Sequence, residues 1–217
     1  MGKMEAMGKT QISFNESDIM EGMTGEEEDA ESEEILLVNK ENPLPDDYTV
    51  ELMKLPDGTN RAAKEAYEPL NDMLKAGTKA GLTFEICSSY RDVDRQRELF
   101  DEDVETLIRQ GHSYTEAYEE VAKETMPPGY SEHSTGLAFD IVAKDYQLLD
   151  EKQAQTDESI WLREHCAEYG FILRYPKGKE DITGISYESW HFRYVGIEAA
   201  KYIMENDLTL EEYLEEI

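Results

Sequence analysis

Two short stretches of this 217-residue chain concentrate its chemistry: Ser131-Glu132-His133-Ser134-Thr135-Gly136-Leu137-Ala138-Phe139-Asp140 and Glu188-Ser189-Trp190-His191. Together they offer two imidazoles and one carboxylate to a metal ion, with a second carboxylate beside the last imidazole. Three protein ligands of N, N, O type leave the fourth position of a tetrahedral zinc open to water, which is the pattern of a catalytic rather than a structural site. A spare glutamate near that water is the expected general base. These residue types point to a zinc hydrolase.

The spacing asks something of the backbone. His133 and Asp140 are seven apart, an odd separation that a straight strand would place on opposite faces. Gly136 between them allows a turn, so His133 is expected on a loop and Asp140 pointing inward from a strand. Ala138 shares the face of Asp140 and is expected to leave room for metal and substrate. A histidine before a strand and an aspartate within one are common, and this segment alone leaves both readings open. The second stretch changes the balance. Asp140 stands between Phe139 and Ile141, and His191 between Trp190 and Phe192. Buried polar groups of this kind need strong partners, and one metal satisfies all three. Glu188 lies three before His191, again an odd step, so a bend or bulge is expected near Ser189.

A third group is Ser88-Ser89-Tyr90-Arg91, with Gln96 one turn into the following helix. From the end of a strand Arg91 could reach into a cleft and stabilise charge developing on a carbonyl oxygen. A salt bridge in so acidic a chain explains it equally well, and the residues alone do not choose. His112, in a loop, and His165, on a helix, read as solvated or packed.

The elements that must hold these groups follow from periodicity and turn chemistry. Residues 61–77 are predicted as a helix, with Ala66, Leu70, Met73 and Leu74 at helical spacing. Residues 82–88 read as a short strand. Residues 92–110 form a charged amphipathic helix with Leu99, Phe100, Val104, Leu107 and Ile108 as its apolar stripe. Ser113 and Glu116 fit a capping box opening another helix, which Pro127-Pro128-Gly129 stops. Strands follow over 137–142, 171–175 and 190–195, and helices over 159–169 and 197–206, with a last turn from Thr209. Helices dominate the first half and short strands the second, without a βαβ rhythm. The class is therefore α+β, a small central antiparallel sheet flanked by helices. Loops around 146–156 and 175–187 are expected to wall the cleft.

Composition sets the limits. The formal net charge of −29 argues against nucleic acid as a partner, because phosphate contacts need clustered Lys and Arg. No apolar run reaches the roughly 18 residues needed to span a bilayer. Residues 1–34 are acidic and poor in aromatics, the composition of a disordered leader, with a catalytic domain expected over 35–217. The two cysteines, Cys87 and Cys166, are far apart and read as free thiols. Nothing suggests a coiled coil, and a monomer is expected.

The motifs, taken together, resemble those of the VanY-type zinc D-alanyl-D-alanine carboxypeptidases, which are related to the D,D-dipeptidases and the hedgehog signalling domain. The resemblance runs from about Leu37 to Val195. It includes Val38-Asn39-Lys40-Glu41-Asn42-Pro43-Leu44-Pro45, the Ser89-Tyr90-Arg91 turn with Gln96, the SxHxxGxAxD pattern from Ser131 to Asp140, and the ExWH pattern from Glu188 to His191. Relatives often carry proline where Ser189 stands. The resemblance implies a hedgehog/D,D-peptidase-like fold and Zn2+ held by His133, Asp140 and His191. It implies Glu188 as the base acting on water and Arg91 as the group polarising the scissile carbonyl. Gln96, Ser131, Tyr90 and Ser89 would line the substrate site. The implied substrate is a peptidoglycan stem peptide or precursor, from which the terminal D-Ala is removed by attack of zinc-activated hydroxide. That substrate in turn implies a place outside the cytoplasm, at the bacterial cell envelope. An L,D-carboxypeptidase, a D,D-dipeptidase or a peptidoglycan endopeptidase could use the same residues. A non-enzymatic zinc-containing binding domain is the reading from a different class, and the presence of both Glu188 and Arg91 weighs against it.

Overall fold

The computed structural model describes residues 35–217, and the leader expected over 1–34 lies outside the described residues. The first regular element is a small antiparallel hairpin, β1 (Leu52–Lys54) and β2 (Arg61–Ala63), with Leu52 opposite Ala63. Its turn is built by Asp57, whose Oδ1 accepts from the backbone N–H of Thr59 (2.7 Å) and Asn60 (2.8 Å). The helix predicted from Arg61 therefore starts later. Residues 61–63 are drawn out to pair with β1, and the N–H of Ala63 donates to the Gly136 carbonyl at 2.8 Å. Helix α1 (Lys64–Lys79) follows and buries Ala66, Leu70 and Met73, the stripe its spacing requires. Near its end a side chain at Gly77 would come within 2.5 Å of the Phe84 ring, which would have to shift to admit it.

Strand β3 (Phe84–Ser88) leads into α2 (Val93–Arg109), capped by Asp92, whose side chain accepts from the Arg95 N–H at 2.8 Å. Of the apolar stripe expected on α2, Phe100 and Val104 are buried, Leu99 and Leu107 half-buried, and Ile108 exposed. The expected capping box between Ser113 and Glu116 opens α3 (Tyr114–Val121). Phe100 and Val104 pack with Ala117 and Val121 in a small core of their own.

Strand β4 (Ala138–Ala143) is buried at every position. Helix α4 (Asp157–His165) gives way to a 3-10 turn at Cys166–Tyr169, and Gly170, at φ +82°, turns the chain into β5 (Phe171–Tyr175). A single turn, α5 (Glu180–Thr183), precedes β6 (Glu188–Tyr194), and α6 (Ile197–Glu205) and α7 (Leu210–Glu216) close the chain. The longer strands form one antiparallel sheet in the order β3-β4-β6-β5. The architecture is α+β, as predicted. No helix among the described residues is long and apolar enough to cross a membrane. Cys87, exposed, and Cys166, buried, are both free thiols.

The two faces of the sheet differ in chemistry. Phe139, Ile141, Phe171, Leu173 and Phe192 join Leu70, Met73 and Leu162 from the helices in the main core. Strand alternation then sends Asp140, His191, Arg193 and Arg174 to the other side. The register sets Asp140 opposite His191 and Ala138 opposite Arg193. Both faces are covered, so the polar side chains on the second face are buried and must satisfy one another.

Candidate active site

Gly136 turns the backbone as its position required. Residues Glu132–Thr135 make one 3-10 turn that Gly136 ends at φ +76°, before β4 begins. An added Cβ there would lie 3.0 Å from the backbone nitrogen of Ala63, so the position is closed to other residues on two counts. The turn lifts His133 over the strand, and its Nε2 comes to 3.3 Å from Asp140 Oδ2. On β6 the expected irregularity is present. Leu173 faces Phe192 while Tyr175 faces Glu188, so two steps along β5 match four along β6. This bulge brings Glu188 and His191 to one side, with Glu188 Oε2 3.4 Å from His191 Nδ1. The same Nδ1 lies 3.2 Å from Asp140 Oδ1.

These distances are compatible with a bound metal ion. Ligand atoms of His133, Asp140 and His191, all buried, lie within 4.8 Å of one another. The Nδ1 of His133 is 2.8 Å from the Ser89 carbonyl oxygen, which can only accept, so Nδ1 carries the ring proton. Burial, with Arg91 nearby, pulls the His133 pKa down against the opposing pull of Asp140, and Nε2 is the ring nitrogen that faces the Asp140 carboxylate. In its neutral form the ring sets a lone pair against the carboxylate in a buried site, an arrangement that a cation between them would satisfy. Asp140 Oδ1, which has no hydrogen-bond partner, is a further open acceptor. The donor set fits zinc.

The charges around the centre are tuned by burial and by one another. Burial works to raise the Asp140 pKa, but the two imidazoles outweigh it and hold the carboxylate ionised. Burial lifts Glu188 above the usual glutamate value, against the opposing pull of His191 and Arg91. His191 is pulled down by burial, yet the carboxylates of Asp140, Glu132 and Glu188 raise it well above the ordinary imidazole range.

A cleft of about 280 Å³ opens over these groups. Arg91, Gln96 and Ser131 line it. Arg91 is hydrogen-bonded through its backbone to the His133 carbonyl at 3.1 Å, and its side-chain Nε is buried without a partner. It feels the charges of Asp140 and Glu188 but forms no ion pair with any described residue, which removes the salt-bridge reading. Gln96 donates to the Met126 carbonyl at 2.6 Å and leaves its Oε1 buried and unpartnered. Ser89 and Tyr90 do not line the cleft. The Ser89 hydroxyl donates to Asn60 Oδ1 at 2.7 Å while its carbonyl holds His133, and the Tyr90 ring lies under the Arg61 guanidinium at 4.8 Å. Ala138 is also off the cleft, and the group it faces is Arg193. Leu149 comes from one expected wall loop, and Tyr175, Ile185 and Tyr187 from the other. His112 and His165 are remote, the latter 2.7 Å from Glu168 and stacked near Trp161.

Sequence reasoning passed over one part of the site. Glu132 is wholly buried, and its Oε1 accepts from Arg174 Nε at 2.8 Å and Arg193 Nη1 at 3.0 Å. Burial works to raise its pKa, but the two guanidiniums outweigh it and lower it strongly. The signal was available in Phe171-Ile172-Leu173-Arg174-Tyr175, where a charge interrupts an apolar strand, as at His191.

Comparison with known proteins agrees with the geometry. The profile of the VanY family, D-alanyl-D-alanine carboxypeptidase, matches residues 59–197. VanYB, solved in complex with D-alanine-D-alanine, is 39% identical with a TM-score of 0.76, covering 83% of this chain and 96% of its own. A mutant D,D-pentapeptidase VanY from a VanB-type vancomycin-resistance cassette, solved with Zn(II), is 39% identical with a TM-score of 0.74, covering 82% of this chain and 97% of that one. The LdcB LD-carboxypeptidase, solved in a study of peptidoglycan recognition, is 38% identical with a TM-score of 0.73, covering 83% and 85%. The chain belongs to the VanY family of zinc D-alanyl-D-alanine carboxypeptidases.

Proposed function

We infer that this protein removes the terminal D-Ala from peptidoglycan stem peptides ending in D-Ala-D-Ala. The observation that carries the reading is the convergence of Glu188 and Arg91 on the His133–Asp140–His191 cluster within one cleft. His133 through Nε2, Asp140 through its carboxylate and His191 through Nδ1 would hold zinc. The ion supplies Lewis acidity, polarising the scissile carbonyl and acidifying water. Glu188 takes a proton from the attacking water and returns it to the departing D-Ala amine as the peptide C–N bond breaks. Its burial-raised pKa supports both directions of that transfer. Arg91, a half-buried cation with no ion pair among the described residues, meets the negative charge that develops on the carbonyl oxygen. Gln96 and Ser131 line the cleft where the peptide would lie. A peptidoglycan substrate would place the protein at the cell envelope.

The similarity to LdcB supports a second reading, an L,D-carboxypeptidase acting on tetrapeptide stems with the same residues. One experiment separates the two. Zinc-loaded protein is incubated with penta- and tetrapeptide stems, with and without chelator, and the products are followed by mass. Chelator-sensitive loss of one D-Ala from the pentapeptide is expected. Cleavage of the tetrapeptide alone favours the L,D reading, and no cleavage of either by zinc-replete protein sinks both.

A further inference from the structure

Two buried polar atoms beside the metal cluster lack hydrogen-bond partners, and they face each other. They are His191 Nε2 and Glu132 Oε2, 3.6 Å apart. Glu132 does not hold that position by its own rotamer alone. Its other oxygen is gripped by the Arg174 and Arg193 guanidiniums. Arg174 is itself fixed from behind, donating to both oxygens of Glu211 on α7 at 2.6 and 2.8 Å. Arg193 is fixed by the Leu36 carbonyl, which accepts from Nη2 at 2.7 Å, and by the Tyr194 carbonyl at 3.0 Å. With Oε1 held in this way, Oε2 is left for the imidazole.

We propose that Glu132 is a positioning residue for the metal site: its Oε2 accepts the Nε2–H of His191 and so turns the Nδ1 lone pair toward Asp140 and the ion. The proposal rests on reading His191 as a ligand through Nδ1. His133 is held by the complementary device, with Nδ1–H on the Ser89 carbonyl and Nε2 free to ligate. The two histidines are thus locked in opposite tautomers, one by a backbone carbonyl and one by a carboxylate. A carboxylate behind a ligating imidazole fixes its orientation and increases its basicity. The buried arginines gain a reason beyond stability, since a carboxylate cannot be kept ionised at this depth without them.

The test is Glu132→Gln. Arg174 and Arg193 claim the single carbonyl oxygen of the new amide, which turns its NH2 toward His191 Nε2 and favours the tautomer that cannot ligate through Nδ1. The zinc dissociation constant, measured by chelator competition, should rise roughly 10- to 100-fold in a folded protein. Glu211→Gln is the structural comparison: it weakens the far side of Arg174, so it should lower the melting temperature while leaving zinc affinity within about threefold. Zinc binding by Glu132→Gln at wild-type affinity overturns the proposal. Should that variant fail to fold, histidine-15N NMR of the zinc-loaded wild type decides. A ring proton on Nε2 of His191 is expected, and one on Nδ1 overturns the role assigned to Glu132. Wild-type protein that takes up no zinc would instead sink the metal-site reading itself.

Discussion

Replacing Arg91 with glutamine removes a half-buried cation that has no ion pair among the described residues, and the structure gives the sign of three separate effects. The first is catalytic. Loss of one preorganised group facing a developing oxyanion costs about 100- to 1,000-fold in kcat, or about 2.7–4 kcal/mol. Coulomb's law gives a consistent scale, since unit charges about 4 Å apart at an effective dielectric constant of about 20 interact by about 4 kcal/mol. The second is stability. Burial already works against the Arg91 charge and lowers its pKa, so a neutral side chain relieves that cost, and the thermal midpoint should hold or rise. The third is metal affinity. A cation close to the ligands repels a dication, so zinc should bind at least as tightly as in the wild type. Release of D-Ala from a pentapeptide stem, thermal melting and chelator competition measure the three. Turnover within about threefold of wild type, with zinc bound, would refute the role given to Arg91. Loss of zinc would refute it differently, by making the residue a structural support of the ligands.

Glu188→Gln should keep zinc bound while lowering kcat roughly 100- to 10,000-fold, and hydrolysis at the wild-type rate would remove Glu188 from the mechanism. Phe139→Ala, at a position with no exposure between Phe171 and Phe192, should cost about 3–5 kcal/mol in urea unfolding. A change below about 1 kcal/mol would mean that the core cluster collapses into the space. A thiol reagent should label Cys87 in the folded protein and leave Cys166 untouched until unfolding, because burial pushes the Cys166 thiol up to about 12. The reverse order, followed by mass after proteolysis, would contradict the packing around α4.

The proposed ligands, Glu188 and Arg91 would serve either a D,D- or an L,D-cleavage, so under the proposed function substrate choice has to come from elsewhere in the cleft. Identity is nearly the same to VanYB and to LdcB, at 39% and 38%, so overall likeness does not rank the two activities. The walls differ in kind from the floor. Met126, Leu149, Ile185, Tyr187 and Trp190 supply apolar lining beside the polar Glu124, Thr125 and Ser186, and Arg91, Glu188 and the proposed ligands supply the reactive floor. A terminal D-Ala-D-Ala and a terminal L,D dipeptide differ in the stereochemistry and side chain before the scissile bond. An apolar wall reads such a difference through fit, which for one methylene is worth only about 1–3 kcal/mol. The penta- and tetrapeptide comparison therefore tests the wall loops, whereas the Arg91 and Glu188 substitutions test the floor.

The floor was legible in the sequence because its residues break local rules. A glycine between His133 and Asp140, and an odd step from Glu188 to His191, pointed to the turn and the bulge that the structure contains. The strand at Phe171–Tyr175 was legible from its apolar run and the glycine before it. The first hairpin was missed because helical spacing of Ala66, Leu70 and Met73 was extended backward through Arg61, although Pro56-Asp57-Gly58 signals a turn and Asp57 makes one. The resemblance implies Ser89 at the substrate site, yet its hydroxyl is bonded to Asn60 and its carbonyl is what reaches the site. The Glu132–Arg174–Arg193–Glu211 network shows the deeper limit. Each of its contacts joins residues distant in the chain, 42 apart for Glu132 and Arg174 and 61 for Glu132 and Arg193, and no spacing rule spans such distances. What the sequence does expose is the cost. Arg174 and Arg193 sit in apolar strands where a charge is untenable without a partner, just as His191 does. One metal could answer for the histidines and Asp140, but it could not answer for two arginines, which require a buried anion. Glu132, beside the first ligand, is the carboxylate that meets both demands.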